Sequence, residues 1–313
     1  MKTIDLGEVC YFVRKKRNIS QENLIYGICK QSTYSLFEKN EMAFSKIFTE
    51  RLLQRLGLST SEFVFLISQK EYEYLKWQSA VMRLVNSREN AKALELLQLR
   101  EPKDEIQKQF QLFVQGYLMK NLEDIEKALL LTLPRINQIY FREISISSDE
   151  MLMLLFYWER EGRLLSNVEV LKGCIEYTDL YYADIEKVKL FSYELDIMRQ
   201  MKLDSNDKMF FDYFALRKEN LMRRLGMEEQ NFFDFCLNHN YLLMNEYIKK
   251  KRIEREYTQE SLCDGICSPV TYSRFESGKQ EMSKKYLMKV FCRLGLEYGT
   301  VLVEDHWRLE DII

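Results

Sequence analysis

Residues 27–38 read GICKQSTYSLFE, and residues 265–276 read GICSPVTYSRFE, near the other end of the same chain. The two stretches align without a gap at an offset of 238 residues, and the match extends to RLGL at 55–58 and at 293–296. Upstream, Arg14 and Gln21 match Arg252 and Gln259 at the same offset. The chain therefore carries one whole module twice.

Each copy has the pattern of four short helices. An apolar stripe at helical spacing within residues 6–13 predicts the first helix. Ser20, like Thr258 in the second copy, stands where an N-cap would begin the second helix. The fourth helix is expected from about residue 45 to 56, with Gly57 ending it.

The third helix carries the candidate functional surface. Gly27 and Gly265 permit a tight turn before it, and Asn40 and Gly278 suit a left-handed residue after it. Burying Tyr34 and Phe37 in the core leaves a short outer face. That face consists of Gln31, Ser32, Ser35 and Leu36. Two helices joined by a tight turn, the second exposing short polar residues, are typical of a helix-turn-helix.

The segment SQENLIYGICKQSTYSLFEKN, residues 20–40, resembles the helix-turn-helix of the Xre and phage-repressor class. More narrowly, it is similar to the Rgg/PlcR group of peptide-sensing regulators, in which GIC-x-Q-S is typical. The resemblance covers residues 6–58 well and residues 244–296 less well. It implies that the third helix enters the major groove of duplex DNA.

The resemblance also implies roles for individual residues of the first copy. Gln31 and Ser32 would contact bases, Ser35 a phosphate and Gln21 the DNA backbone. Arg17 and Lys30 complete the expected DNA-binding set. Arg14 and Glu38 match a structural ion pair that ties the first helix to the third. Leu36 departs from the usual basic residue, which removes one phosphate contact.

In the second copy, Pro269 and Val270 replace the two base readers. The remaining candidates for DNA contact are Gln259, Ser268, Ser273 and Arg274. Arg252 and Glu276 repeat the ion pair. A duplicated module keeps its fold when its outer face changes, so DNA binding and a packing or dimerisation role both stay open.

Residues 67–242 have helical periodicity broken by short polar joints. They resemble a degenerate tetratricopeptide-like solenoid, which in the family senses a short signalling peptide. Asn137, Tyr140, Asn167 and Tyr181 are available for a peptide groove, although no pattern places them on one face. We expect an all-α fold of three domains. They are a helix-turn-helix at 1–66, a TPR-like helical domain at 67–242, and a second helix-turn-helix-like domain at 243–313.

Composition narrows the function classes. The 313 residues carry a net charge of -2, yet the ends are basic and the middle is acidic. The sequence shows no N-terminal signal peptide and no apolar run long enough to span a bilayer. Seven cysteines scattered without framework spacing indicate reduced thiols and predict a cytoplasmic protein, and we expect neither a metal nor a cofactor. No phosphate loop, nucleophile elbow or HExxH motif is present, so an enzyme is not expected.

The leading hypothesis is a transcription regulator that binds double-stranded DNA as a homodimer and belongs to a peptide-responsive, quorum-sensing type. The alternative is a helical-repeat interaction scaffold whose helix-turn-helix ends serve as packing or dimerisation modules. The terminal segment VLVEDHWRLEDII, residues 301–313, is expected to dock on the fold, because it begins with alternating and ends with apolar residues.

Overall fold

The computed structural model of the chain describes residues 1–4, 6–133, 136, 145–227 and 240–308. The first module contains α1 (Leu6–Lys16), α2 (Gln21–Ile25), α3 (Gln31–Glu38) and α4 (Lys46–Arg55). The helices α5 to α13 form the central region described below. The second module contains α14 (Met244–Glu254), α15 (Gln259–Cys263), α16 (Pro269–Glu276) and α17 (Lys284–Arg293). All four helices thus recur with the same bounds at the offset of 238.

The backbone repeats as closely as the helices do. Left-handed residues fall at matched positions in the two modules: Asn18 and Glu256, Gly27 and Gly265, Asn40 and Gly278, Gly57 and Gly295. Ser20 Oγ accepts a hydrogen bond from the Asn23 amide at 3.0 Å, and Thr258 Oγ1 accepts one from the Ser261 amide at 3.0 Å. The predicted caps and turns are therefore confirmed in both copies.

In the part of the chain that the structure describes, four short strands, absent from the prediction, join the two modules. They are β1 (Lys2–Ile4), β2 (Val64–Ile67), β3 (Tyr241–Leu243) and β4 (Val301–Val303). The strand order is β1-β4-β2-β3; the β1/β4 and β4/β2 pairs are antiparallel, and the β2/β3 pair is parallel. The all-α expectation is thus correct for most of the chain and wrong for these segments. Strands of three or four residues are too short to show a reliable alternation in sequence.

The sheet lies between the two modules. Phe65, Ile67, Val301 and Val303 pack in the core of the first module. Leu66 and Leu302 pack in the core of the second. Successive side chains of a strand point to opposite faces, so each face of the sheet is covered by one module. Each module therefore depends on strand residues from the far end of the chain.

The central region is built from consecutive helices. They are α5 (Gln69–Asn86), α6 (Asn90–Gln98), α7 (Glu105–Met119), α8 (Leu122–Leu130), α9 (Ser148–Arg160), α10 (Arg163–Ser166), α11 (Val168–Tyr181), α12 (Asp184–Arg199) and α13 (Ser205–Leu225). Neighbours in sequence pack together, most extensively α7 with α8 and α12 with α13. A separate apolar core lies within residues 81–221. The apolar stretch 151–158 is a buried part of α9. Within the described ranges, no helix is both long and apolar enough to cross a membrane.

Candidate nucleic-acid interface

The third helix of the first module is braced from behind by an ion pair. Arg14 Nε and Nη2 donate to Glu38 Oε1 and Oε2 at 2.6 and 3.0 Å, and Arg14 Nη1 donates to the Ile19 carbonyl at 3.1 Å. Both side chains are nearly buried. The hydrogen bond to Glu38 raises the pKa of Arg14, so this guanidinium stays charged. The ion pair predicted from the family resemblance therefore links α1 to the end of α3.

The same brace recurs in the second module. Arg252 Nε donates to Glu276 Oε1 at 2.7 Å, and Arg252 Nη1 donates to the Tyr257 carbonyl at 2.7 Å. Gln259 Nε2 donates to the second oxygen of Glu276. In the first module Gln21 Nε2 makes the equivalent bond to Glu38 at 2.5 Å. Two carboxylates at matched positions thus fix the first three helices of each module in the same arrangement.

The outer face of α3 brings together most of the residues expected from the sequence. Lys30, Gln31 and Ser32 are exposed, while Ser35 is half-buried. Ser35 Oγ and Gln31 Nε2 both donate to Gln21 Oε1, at 3.2 and 3.4 Å. Gln21 therefore lies behind the face and orients its neighbours.

Arg17 lies apart from this group. Its Nη1 donates to the Tyr181 carbonyl at 3.3 Å, at the end of α11. The guanidinium is thus directed toward the central helices. This contact leaves the expected role of Arg17 in DNA binding without support from the geometry.

The outer face of α16 is open along its length. Ser268 begins the helix and accepts a hydrogen bond from the Thr271 amide at 3.1 Å, so its hydroxyl acts as the N-cap. Pro269, Val270, Ser273 and Arg274 are exposed. The first turn of α16 carries Pro269 and Val270 and is more apolar than the first turn of α3. Arg274 places a cation where α3 has Leu36.

The second module carries a net positive charge. Residues 244–296 hold eleven Lys and Arg against seven Asp and Glu. The exposed cations are Lys249, Lys250, Arg255, Arg274, Lys279, Lys285 and Lys289. In the first module, by contrast, Lys46, Arg51 and Arg55 are buried. The second module therefore presents more of its positive charge to solvent along its fourth helix.

The buried cations of the first module dock α4 onto the central helices. Arg55 Nε and Nη2 donate to the Glu150 carboxylate at 3.0 and 2.6 Å, and Nη2 also reaches the Thr132 carbonyl at 2.8 Å. Arg51 Nη1 lies 2.9 Å from Glu150 and 2.7 Å from the Gln109 side chain. Burial alone would raise the pKa of Glu150, but the two guanidiniums and their hydrogen bonds outweigh it and hold that pKa well below its usual range. No spacing in the sequence connects α4 to a carboxylate about one hundred residues away, so sequence reasoning missed this site.

The turn before α3 is also docked. A Cβ built on Gly27 would lie 2.3 Å from the Leu131 carbonyl oxygen and 2.5 Å from the Thr132 Cα, whereas a Cβ on Gly265 meets nothing within 4 Å. The first module is therefore seated on the central region by its turn and its fourth helix. The second module packs on the sheet through Leu66 and Leu302, and its Glu281 lies 3.5 Å from Lys70 of α5.

Residues 248–299 match the family model HTH_3, described as helix-turn-helix. Residues 248–299 form an Xre-type helix-turn-helix domain. The match covers α15, α16 and α17 and most of α14, and it indicates a DNA-binding regulator. The match falls on the second copy, which we expected from the sequence to resemble the class less well than the first. No curated protein and no solved structure shows a significant match to the chain.

Proposed function

We propose that the chain is a sequence-specific transcription regulator that reads duplex DNA through the outer face of α16. The observation that carries this proposal is the open face itself, since Val270, Ser273 and Arg274 are exposed on the matched domain. Arg252 and Glu276 hold the helix rigidly from behind. A rigid helix with a free outer face is what entry into the major groove requires.

The residues of this face have distinct chemistry. Arg274 can bond two acceptors of a guanine edge, and Ser273 and Ser268 suit phosphate oxygens. The exposed lysines would displace counterions from the DNA backbone, so affinity falls as salt rises. The first module, with its repeated backbone and brace, is proposed as a second helix-turn-helix of the Rgg/PlcR type.

We place control of DNA binding in the central region. It is proposed to be TPR-like and to bind a short peptide or another small ligand. A groove of about 300 Å³ on α13 is lined by Tyr213, Leu216, Arg217, Asn220, Leu221 and Arg224. The Asn220 amide can bond a peptide backbone, while Arg217 lies 2.6 Å from Asp179 and Arg224 pairs with Asp184. Of the residues suggested earlier, Asn137 and Tyr140 lie outside the described residues, and Asn167 caps α11 through its side chain.

The contact between Arg55 and Glu150 would transmit this control to the first module. A ligand that shifts α9 against α8 changes the geometry around Glu150, and α4 of the first module is bonded to that carboxylate. A buried ion pair has few alternative geometries. A small displacement of Glu150 would therefore move α4 from one discrete position to another.

The proposal is tested by selecting bound sequences from a random duplex library with the intact protein. The same selection uses the Ser273→Ala/Arg274→Ala variant and, as a matched control, Arg223→Ala, which removes an exposed arginine of α13. We expect one enriched motif with the intact protein and the control, and a weakened or changed motif with the double variant. No enrichment from a folded intact protein would contradict the proposal.

A second candidate function is an interaction scaffold in which the modules serve only for packing. The docking of α4 and Gly27 on the central helices favours it for the first module. A packing module tolerates changes on its open face. No enriched motif from a folded intact protein would therefore favour the scaffold, whereas an unchanged motif with the Ser273→Ala/Arg274→Ala variant would move DNA reading away from α16.

A further inference from the structure

We infer that one chain reads a bipartite, non-palindromic DNA site, with α3 on one half and α16 on the other. This inference rests on the proposed function and extends it to the first module, to the number of chains on the DNA and to the form of the operator. The homodimer expected from the sequence is then unnecessary, because one chain already holds two reading helices.

Both reading faces are open in the same molecule. Gln31 and Ser32 are exposed, although α4 and the turn of that module are docked on the central region. Leu36 is 41% exposed, and Val270 on the other helix is 61% exposed. Both apolar side chains thus present a large part of their surface to solvent in the free protein. On DNA they fit against the methyl group of thymine.

The two faces carry different chemistry at equivalent positions. The first offers the Gln31 amide, the Ser32 hydroxyl and the Leu36 side chain, in that order along the helix. At the same offsets the second offers Pro269, Val270 and Arg274. An amide pairs best with an adenine edge and a guanidinium with a guanine edge, so the two halves of the DNA site must differ in sequence.

The distance between the faces is fixed by the fold. The sheet is shared, and Val301 and Val303 of the last strand complete the first module's core. The loop after α3 also touches the second module, because Lys284 Nζ donates to the Asn40 carbonyl at 2.9 Å. If α3 and α16 are held at a fixed distance, they can contact both halves of the DNA site at only one spacing. The number of base pairs between the halves is therefore part of what the protein recognises.

The first test counts chains on DNA. The intact protein is used to select a site from a random duplex library, and the mass of the complex is measured by sedimentation. We expect one chain per duplex and a two-part motif with unlike halves. Inserting about five base pairs between the halves turns one half to the opposite side of the helix. That insertion should weaken binding by more than about tenfold, as two fixed readers can no longer engage together.

The second test assigns each half to its helix. Gln31→Ala/Ser32→Ala should erase preference in one half only, and Ser273→Ala/Arg274→Ala in the other half only. Gln98→Ala, at an exposed glutamine of α6, is the matched control and should change neither. Pro269→Gln/Val270→Ser/Arg274→Leu gives α16 the outer face of α3. Selection with this variant should yield two halves of the same sequence.

The outcomes separate this inference from the proposed function. A motif that depends on Ser273 and Arg274 but ignores Gln31 and Ser32 would overturn the inference and leave DNA reading by α16 intact. A palindromic motif bound by two chains would overturn it too. No enriched motif from the folded intact protein would contradict both.

Discussion

Arg55 and Arg293 occupy equivalent positions in the two modules, and they share one contact while differing in another. Each donates from Nη1 to a carbonyl near the end of the second helix, Arg55 to Leu24 at 2.8 Å and Arg293 to Leu262 at 3.0 Å. Only Arg55 continues outward to Glu150, at 2.6 Å, across the boundary with the central helices. Both arginines therefore bond to the second helix of their own module. Only Arg55 also docks its module on the central helices.

Arg55→Ala should destabilise the protein far more than Arg293→Ala. Removing Arg55 leaves the buried Glu150 with one guanidinium fewer, and breaking a buried ion pair costs about 3–5 kcal/mol. Removing Arg293 costs about 1–2 kcal/mol, the price of hydrogen bonds at a half-exposed turn. Urea denaturation of both variants measures the difference in the free energy of unfolding. Equal losses would mean that the contact with Glu150 contributes nothing.

Gly27→Ala should be worse tolerated than Gly265→Ala. Both glycines have a positive φ, 68° and 65°, so alanine at either position costs about 1–2 kcal/mol. At Gly27 the added Cβ also collides with backbone atoms of Leu131 and Thr132, which cannot rotate away. The melting temperatures of the two variants give the comparison. A Gly27→Ala protein as stable as Gly265→Ala would contradict the docked turn.

Glu194→Gln should stabilise the protein at alkaline pH. Burial raises the pKa of Glu194 to about 8, against a single hydrogen bond from Thr178 Oγ1 at 2.8 Å that lowers it. The pKa of a glutamate in the unfolded chain is about 4.3, so the folded protein favours the protonated form of Glu194. The stabilisation from this protonated carboxyl is complete below about pH 4.3 and is lost as the pH rises through 8. Across that window the loss is about 1.4 kcal/mol per pH unit. Glutamine removes this dependence.

The measurement is the melting temperature of wild type and Glu194→Gln between pH 5 and pH 9. The gap between the two curves should widen toward alkaline pH. Glu219→Gln, at an exposed glutamate of α13, is the control and should follow the wild type. Parallel curves for Glu194→Gln would show that this carboxyl does not titrate in the window.

Arg274→Ala should weaken binding to the selected duplex by about 10- to 100-fold, the usual loss when one guanidinium contact to a base is removed. Arg223→Ala should leave that affinity unchanged. Fluorescence anisotropy with a labelled duplex measures both variants. A loss that is the same for every duplex sequence would instead assign Arg274 to a phosphate.

Much of each module was predictable from the sequence because its determinants are local. The N-caps Ser20 and Thr258, the left-handed Asn40 and Gly278, and the buried Tyr34 and Phe37 depend on neighbours within a few residues. The brace between Arg14 and Glu38 was implied by the family resemblance. These features recur in both copies, which made the pattern easier to read.

The remainder depends on long-range contacts that no local pattern reveals. β4 becomes a strand by pairing with β1 and β2, whose residues lie more than two hundred positions away. Arg51 is buried because α4 docks on the central helices. Its counterpart Lys289 is exposed, and the sequence repeat does not reveal this difference. One practical consequence is that deleting residues 244–313 would also remove Val301 and Val303 from the first module's core. Point variants are therefore the appropriate probes of each module.

The most direct test of the account is an equilibrium titration of the intact protein with two duplexes, the selected site and a scrambled duplex of the same base composition. A reader of DNA sequence should bind the selected site at least about 1,000-fold more tightly at physiological salt, and both affinities should fall as salt rises. Equal affinity for the two duplexes, or no binding to either by a folded protein, would contradict the central claim.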